Sequence, residues 1–255
     1  ARHRVAADQL LALIEDQAEA FQSQAPAIYL RGVAQRQSGR MGLARKAFER
    51  SLAVDPEFAL PKMALVDLEM QTGRFDEALA LLADVGDSNQ LLAKRARAYM
   101  KLRRYKPAGQ DIVALMKRDP KSPAYQVLHG QWLRRVRKDD EAEAHVEKVV
   151  SQSPKFEPAY ALLFELYDRP AYTDEDFAKR MRGWRETLAK AQLNLPSSRV
   201  ARVKAIRPML ANERFLADAE KRCNALLHEF PGDGELKGFL ARIYMTRGRA
   251  AQAAK

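Results

Sequence analysis

At 255 residues, with 47% hydrophobic side chains, the chain has ample material for burial, yet it holds no apolar run approaching the ~20 residues of a membrane span. Its 44 Lys and Arg against 33 Asp and Glu give a net charge of +11, which favours acidic partners and is spread along the chain rather than massed in one block. A single cysteine, Cys223, excludes an internal disulfide framework and does not choose between cytosol and periplasm.

The start, Ala1-Arg2-His3-Arg4-Val5, is basic but lacks the apolar core of a signal peptide, and without an initiator Met it reads as the start of a fragment or a processed form. Val5, Leu10, Leu11, Leu13, Ile14, Ala18 and Phe21 space out an amphipathic helix within residues 1–24. It is either a cap or the end of a preceding repeat, or else a segment that folds into a groove. Beyond it a proline keeps returning after an amphipathic run: Pro56, Pro120, Pro154, Pro196 and Pro231. Spacings of 64, 34 and 35 residues between 56 and 120, 120 and 154, and 196 and 231 fit a unit of about 34, with one short double step. With Ala25 as the first residue of a unit, Gly32, Gly39, Ala44 and Phe48 fall where two antiparallel helices need small contacts, a helix stop and a packing ring.

The same slots hold Gly73, Phe75, Ala78 and Leu82, then Ala96, Ala108 and Ile112, then Gly130, Ala142 and Val146. The second of these units closes early, at Val85-Gly86-Asp87. A fifth opens at Glu157 with Tyr160, Leu163 and Tyr167, and is interrupted near 168–176, where Thr173 reads as an N-cap for Asp176. Phe177, Met181, Trp184 and Leu188 then form a stripe, either core or, with the loop and Trp184, a recognition element. A sixth unit has Ala219, Cys223 and Leu226, and its Arg207-Pro208 is expected to kink the first helix or delay its start. A seventh has Leu240, Tyr244 and Gly248. The seventh residue of several units is Arg31, Arg95, His129 or Arg207, long side chains expected to bury their stems and carry their heads to water.

This pattern resembles the tetratricopeptide repeat, of the multi-repeat kind found in bacterial proteins. The resemblance implies an all-α fold: a right-handed superhelical solenoid of about seven antiparallel helix pairs. Its units would lie near 25–58, 59–88, 89–122, 123–156, 157–199, 200–233 and a truncated 234–255. It further implies a concave face lined by first helices. Carried over residue by residue, that face presents Tyr29, Leu30, Val33, Leu60, Met63, Asp67 and Met70, then Lys94, Arg97, Met100 and Lys101, then Val127, Leu128, Gln131, Arg134 and Arg135. Tyr29, Val33 and Met63 are the expected apolar anchors for a partner, while Lys94, Arg97, Lys101, Arg134 and Arg135 make the middle basic; winding that buries the apolar set is the competing reading. The family's clamp for a C-terminal carboxylate is missing, since Tyr29, Val33, Met63, Asp67, Ala93 and Arg97 stand where its lysine and asparagines belong.

Catalytic chemistry is not indicated. His3, His129, His145 and His228 are scattered without metal-ligand spacing, Cys223 falls on a buried helix position, and no Gly-rich phosphate loop or nucleophile elbow is present. The acidic runs at 139–141 and 174–176 begin helices, where the dipole accounts for them. No cofactor or metal is called for. The expected role is a non-enzymatic scaffold for a protein or peptide of acidic character. The alternatives are a scaffold contacting an anionic polysaccharide in a bacterial export or assembly apparatus, and the arm of a larger transferase. Residues at the fifth position of each unit form no base-reading code, so sequence-specific nucleic-acid binding is not expected.

Overall fold

The computed structural model describes residues 6, 9–13, 23–83, 88–168, 173–211 and 213–248, and among them every regular element is helical. The chain divides into two compact units, Ala1–Pro120 and Lys121–Lys255. In the first, α1 (Ala25–Gln37) pairs with α2 (Met41–Val54), α3 (Ala59–Gln71) with α4 (Phe75–Ala83), and α5 (Asn89–Lys101) with α6 (Tyr105–Arg118). In the second, α7 (Pro123–Arg135) pairs with α8 (Asp139–Gln152) and α9 (Glu157–Tyr167) with α10 (Asp174–Asn194). The short α11 (Arg199–Lys204) gives way to two 3-10 turns, Arg207–Ala211 and Glu213–Phe215, and α12 (Leu216–Glu229) packs on these and on α13 (Gly234–Thr246).

The repeat is set by where helices stop and how closely they approach. Each of the five prolines lies two residues past a second helix, and the residue before it is out of the helical region, with φ between −127° and −143° and ψ between 53° and 96° at Asp55, Asp119, Ser153, Leu195 and Phe230. Clash with the proline ring keeps that residue out of the helical region, so the chain leaves every second helix in the same way. Inside the pairs Ala44, Ala78, Ala108, Ala142 and Ala219 have no exposed surface. Three glycines are set by contact distance: a Cβ on Gly32 would lie 2.5 Å from the Phe48 ring, one on Gly130 2.6 Å from Val146, and one on Gly183 2.6 Å from the Tyr167 ring. Phe48, Leu68, Leu82, Ile112, Leu115, Tyr160 and Phe164 then bury essentially all of their surface, each contributing about 1.5–3 kcal/mol.

Several expectations need correction. Arg95 reaches water only in part, because its head is taken by a partner. Its Nε and Nη2 donate to both carboxylate oxygens of buried Asp111, at 2.9 and 2.7 Å, across the α5–α6 pair. His129 meets His145 edge to face, ring centroids 4.8 Å apart, across α7–α8. In both cases the partner lies 16 residues on. Leu65 and Leu81, one apolar cluster in α3–α4, occupy the equivalent places. In these two pairs the polar residue is matched across the hairpin, whereas 16 residues on from Arg31 and Arg207 stand Ala47 and Cys223. Arg207-Pro208 neither delays the first helix nor merely bends it: α11 starts at Arg199 and stops after six residues.

The lengthened second helix is α10, at 21 residues against 14 in α2, α6, α8 and α12. Thr173 caps it as expected, its Oγ1 accepting from Asp176 N–H at 3.1 Å. Trp184 is a core residue, 3% exposed, with its ring against Phe164, and only Phe177 of the expected stripe is exposed. Residues 169–172 and the early closure at 85–87 lie outside the described residues. So does most of the expected N-terminal helix, although residues 9–13 are helical and Leu11 is buried with Ala34 of α1.

Candidate partner-binding face

The expected contact residues all lie on first helices. In the unit of residues 1–120, α1 packs on α3. Tyr29 is half-buried, its ring tilted on Phe48 with centroids 5.7 Å apart and edge-on to Phe58 at 5.6 Å. Val33 packs into the same core cluster, and Met63 on α3 is also half-buried. The more exposed apolar side chains are their neighbours Leu30, 38% exposed, and Leu60, 52%. Met100 on α5 lies inside, at 9% exposure.

Charge on this side is organised as ion pairs between successive first helices. Lys94 of α5 donates to Asp67 of α3, so two expected contact residues are brought together and satisfy one another. Arg97 and Lys101 are exposed along α5. In the unit of residues 121–255, Val127 and Leu128 are buried, at 4% and 1%, and are removed from the expected contact set. Arg134 donates to Glu165 of α9, while Arg135 and Gln131 are exposed. Further along, Lys204 of α11 bridges Glu235 at 2.6 Å and Asp168 at 3.5 Å, and Arg207 also pairs with Asp168. The two cations lie over aromatic rings, Lys204 over Phe164 at 5.8 Å and Arg207 over Trp184 at 5.5 Å.

Glu165, Asp168, Lys204 and Glu235 were not among the expected site residues. A signal for them exists in the sequence, an acid one unit beyond a base on the same helix face, but reading it requires the unit length to be known at each step. The basic character expected of this face is thus partly cancelled within the chain: Lys94 and Arg134 already hold carboxylates.

Cys223 has no exposed surface, and burial, with Glu220 adding to it, pushes its thiol up to about 11, far from the thiolate form. Among the described residues no group of three or more His, Cys, Asp and Glu side chains is placed to hold a metal ion. No helix among them is long and apolar enough to cross a membrane.

Comparison with known proteins adds to the geometry. A family model described as tetratricopeptide repeat matches residues 35–95, from the end of α1 to the middle of α5. No curated protein matches the sequence. Among solved structures, a tetratricopeptide repeat protein from Parabacteroides merdae is 19% identical, with a TM-score of 0.68 over 93% of this chain and 91% of that one. Yeast Tom70 is 14% identical, with a TM-score of 0.69 over 98% of this chain and 53% of Tom70. The pilF protein of Pseudomonas aeruginosa is 17% identical, with a TM-score of 0.52 over 85% of this chain and 96% of that one. At these identities the likeness is one of fold: helix pairs stacked as in a solenoid.

Proposed function

This chain is a tetratricopeptide repeat protein, and we propose that it is a non-catalytic scaffold that holds a segment of a protein partner along its first helices. The observation that carries this reading is the pair of exposed leucines, Leu30 and Leu60, on the adjacent helices α1 and α3. Apolar side chains grouped on one face of a folded protein are the usual mark of a contact surface. Tyr29, Val33 and Met63 supply a partly buried floor, and the Tyr29 ring is held against Phe48 and Phe58. In the same unit Arg97 and Lys101 supply cations at the surface, and Lys94 with Asp67 supplies an ion pair that a partner's charges can exchange with. Such a face suits a segment with one or two apolar anchors and acidic flanks.

A selection from a displayed random-peptide library tests the reading. Peptides enriched on this chain should combine an apolar residue with Asp or Glu. Leu60→Asp should weaken them at least about tenfold, as loss of a buried apolar anchor does. Arg97→Ala with Lys101→Ala should lower both affinity and its dependence on salt. Enriched peptides that bind Leu60→Asp as tightly as the parent protein would overturn the proposal.

A further inference from the structure

Three of the described hairpin loops turn on a glycine in the left-handed region: Gly39 at φ 79°, Gly73 at φ 79° and Gly248 at φ 68°. Two others put an arginine in that same place, Arg103 at φ 58° and Arg137 at φ 68°. Each of the five is the fifteenth residue of its unit, counted from Ala25, Ala59, Asn89, Pro123 and Gly234. The hydrogen bonding does not differ. Gly39 N–H donates to Arg36 O at 3.0 Å and Arg40 N–H to Gln35 O at 2.8 Å. Likewise Arg103 donates to Met100 O at 3.2 Å and Arg104 to Tyr99 O at 2.8 Å, and Arg137 to Arg134 O at 3.2 Å and Lys138 to Leu133 O at 2.9 Å. These are helix ends of the Schellman type, whose left-handed residue is glycine because a Cβ there crowds the following carbonyl. No contact in the structure accounts for arginine at either place: both side chains are exposed and make no ion pair among the described residues. Beside Arg103 stands a second such cation, Lys106, in the first turn of α6, whereas Arg137 precedes the acidic first turn of α8, Asp139 to Glu141.

We propose that these two basic loops, α5–α6 in one unit and α7–α8 in the other, each bind an Asp- and Glu-rich segment of a protein partner, with Arg103 and Arg137 as the cations that take its carboxylates. A charged residue in a strained place with no intramolecular role points to a role outside the molecule. The guanidinium fork matches a carboxylate with two parallel bonds. Other polyanions fit the loops less well. Tyr105 and Trp132 are half-buried, which leaves no exposed ring on which a base can stack, and Leu102 and Val136 are half-buried too, so no apolar side chain is free to enter a bilayer. This surface is separate from the first-helix face, and the two proposals fail independently.

The signature is that binding and stability move in opposite directions. Arg103→Gly with Arg137→Gly should raise the melting temperature by roughly 2–4 °C, because the strain is relieved. The same variant should bind poly-L-glutamate about fivefold more weakly, with a shallower salt dependence. Arg103→Lys with Arg137→Lys should retain most of the binding without the gain in stability. Lys46→Gln with Lys221→Gln removes two exposed charges elsewhere and should leave poly-L-glutamate binding near that of the parent chain. Three results would overturn the proposal: equal weakening by the Lys46/Lys221 variant, no rise in melting temperature with glycine, or binding of polyuridylate or phosphatidylglycerol vesicles in place of poly-L-glutamate.

Discussion

Breaking the Arg95–Asp111 pair should be costly in one direction and nearly free in another. The two groups differ in burial: the Asp111 side chain is 9% exposed and the Arg95 side chain 29%. Arg95→Leu strands a carboxylate nine-tenths out of water, and its cost should fall in the ~3–5 kcal/mol range for an orphaned buried charge. Asp111→Leu strands a guanidinium that still reaches solvent, so about 2–3 kcal/mol is expected, below that range. The double variant, Arg95→Leu with Asp111→Leu, rebuilds the apolar contact that Leu65 and Leu81 make in α3–α4. It should lie within about 1 kcal/mol of the parent chain or be more stable, since replacing a buried ion pair by packed apolar groups is often favourable. The two single costs should therefore exceed the double cost by several kcal/mol, a coupling far above the ~0.5 kcal/mol of independent sites. Because repeats unfold from their neighbours outward, the measurement is best local: hydrogen exchange of α5 and α6 by mass spectrometry, beside urea unfolding followed by circular dichroism. Arg95→Leu costing less than Asp111→Leu, or additive effects, would refute the assignment of this pair as a buried, desolvated unit.

Three more outcomes follow from the packing. Gly32→Ala drives a methyl into the Phe48 ring and should destabilise by about 1–3 kcal/mol, measurable as a lower urea midpoint; an unchanged midpoint would mean that the pair opens without strain. His129 and His145 are both held below the ordinary histidine range, chiefly by burial. The folded protein therefore binds their protons less readily than the unfolded chain does, and stability should fall as pH drops below the unfolded value of about 6.5. His129→Leu with His145→Leu should flatten that part of the pH–stability curve, and an unaltered slope would place the acid sensitivity elsewhere. Asp233 caps α13 through Glu235 and Leu236 N–H and pairs with Arg199 at 2.6 Å. Burial alone would raise its carboxyl, but the Leu236 N–H and Arg199 hold it below the usual range. Its contribution is then present above the unfolded value and is lost as pH falls through the folded one. Asp233→Ala should cost at least about 0.5–2 kcal/mol, seen first as faster exchange in the opening turn of α13.

How much of this was legible in the sequence depends on the range of the interaction. Pro56, Pro120 and Pro154 end their helices by local geometry, and Gly32 and Ala142 are small because of a contact within one hairpin, so both kinds of signal survive in a linear reading. The pairing of Arg95 with Asp111 does not, because Asp111 looks like any polar residue until the hairpin brings it opposite. Lys94 with Asp67 and Arg134 with Glu165 lie one register further off, 27 and 31 residues apart, and that difference in spacing hides the pattern. Leu128 was misread for the related reason that a first helix has two neighbours, and its expected open side is covered. Arg103 and Arg137 were visible as basic residues, but their backbone conformation was not.

The long helix α10 has a consequence for how this fold accepts change. Its 21 residues exceed the usual 14 by seven, close to two full turns, so the added stretch leaves the buried stripe of the remainder facing the same way. All of the growth is at its beginning, for its end keeps the same non-helical Leu195 and the same step to Pro196 as its sisters. The two rims of each hairpin are therefore unequal. Where a second helix starts, whole turns can be added and a loop enlarged without altering the exit to the next pair. Where it ends, one residue more or less would rotate every pair that follows. A binding loop or a reporter domain grafted before α6 or α8 should be tolerated, whereas the same graft after either helix should not.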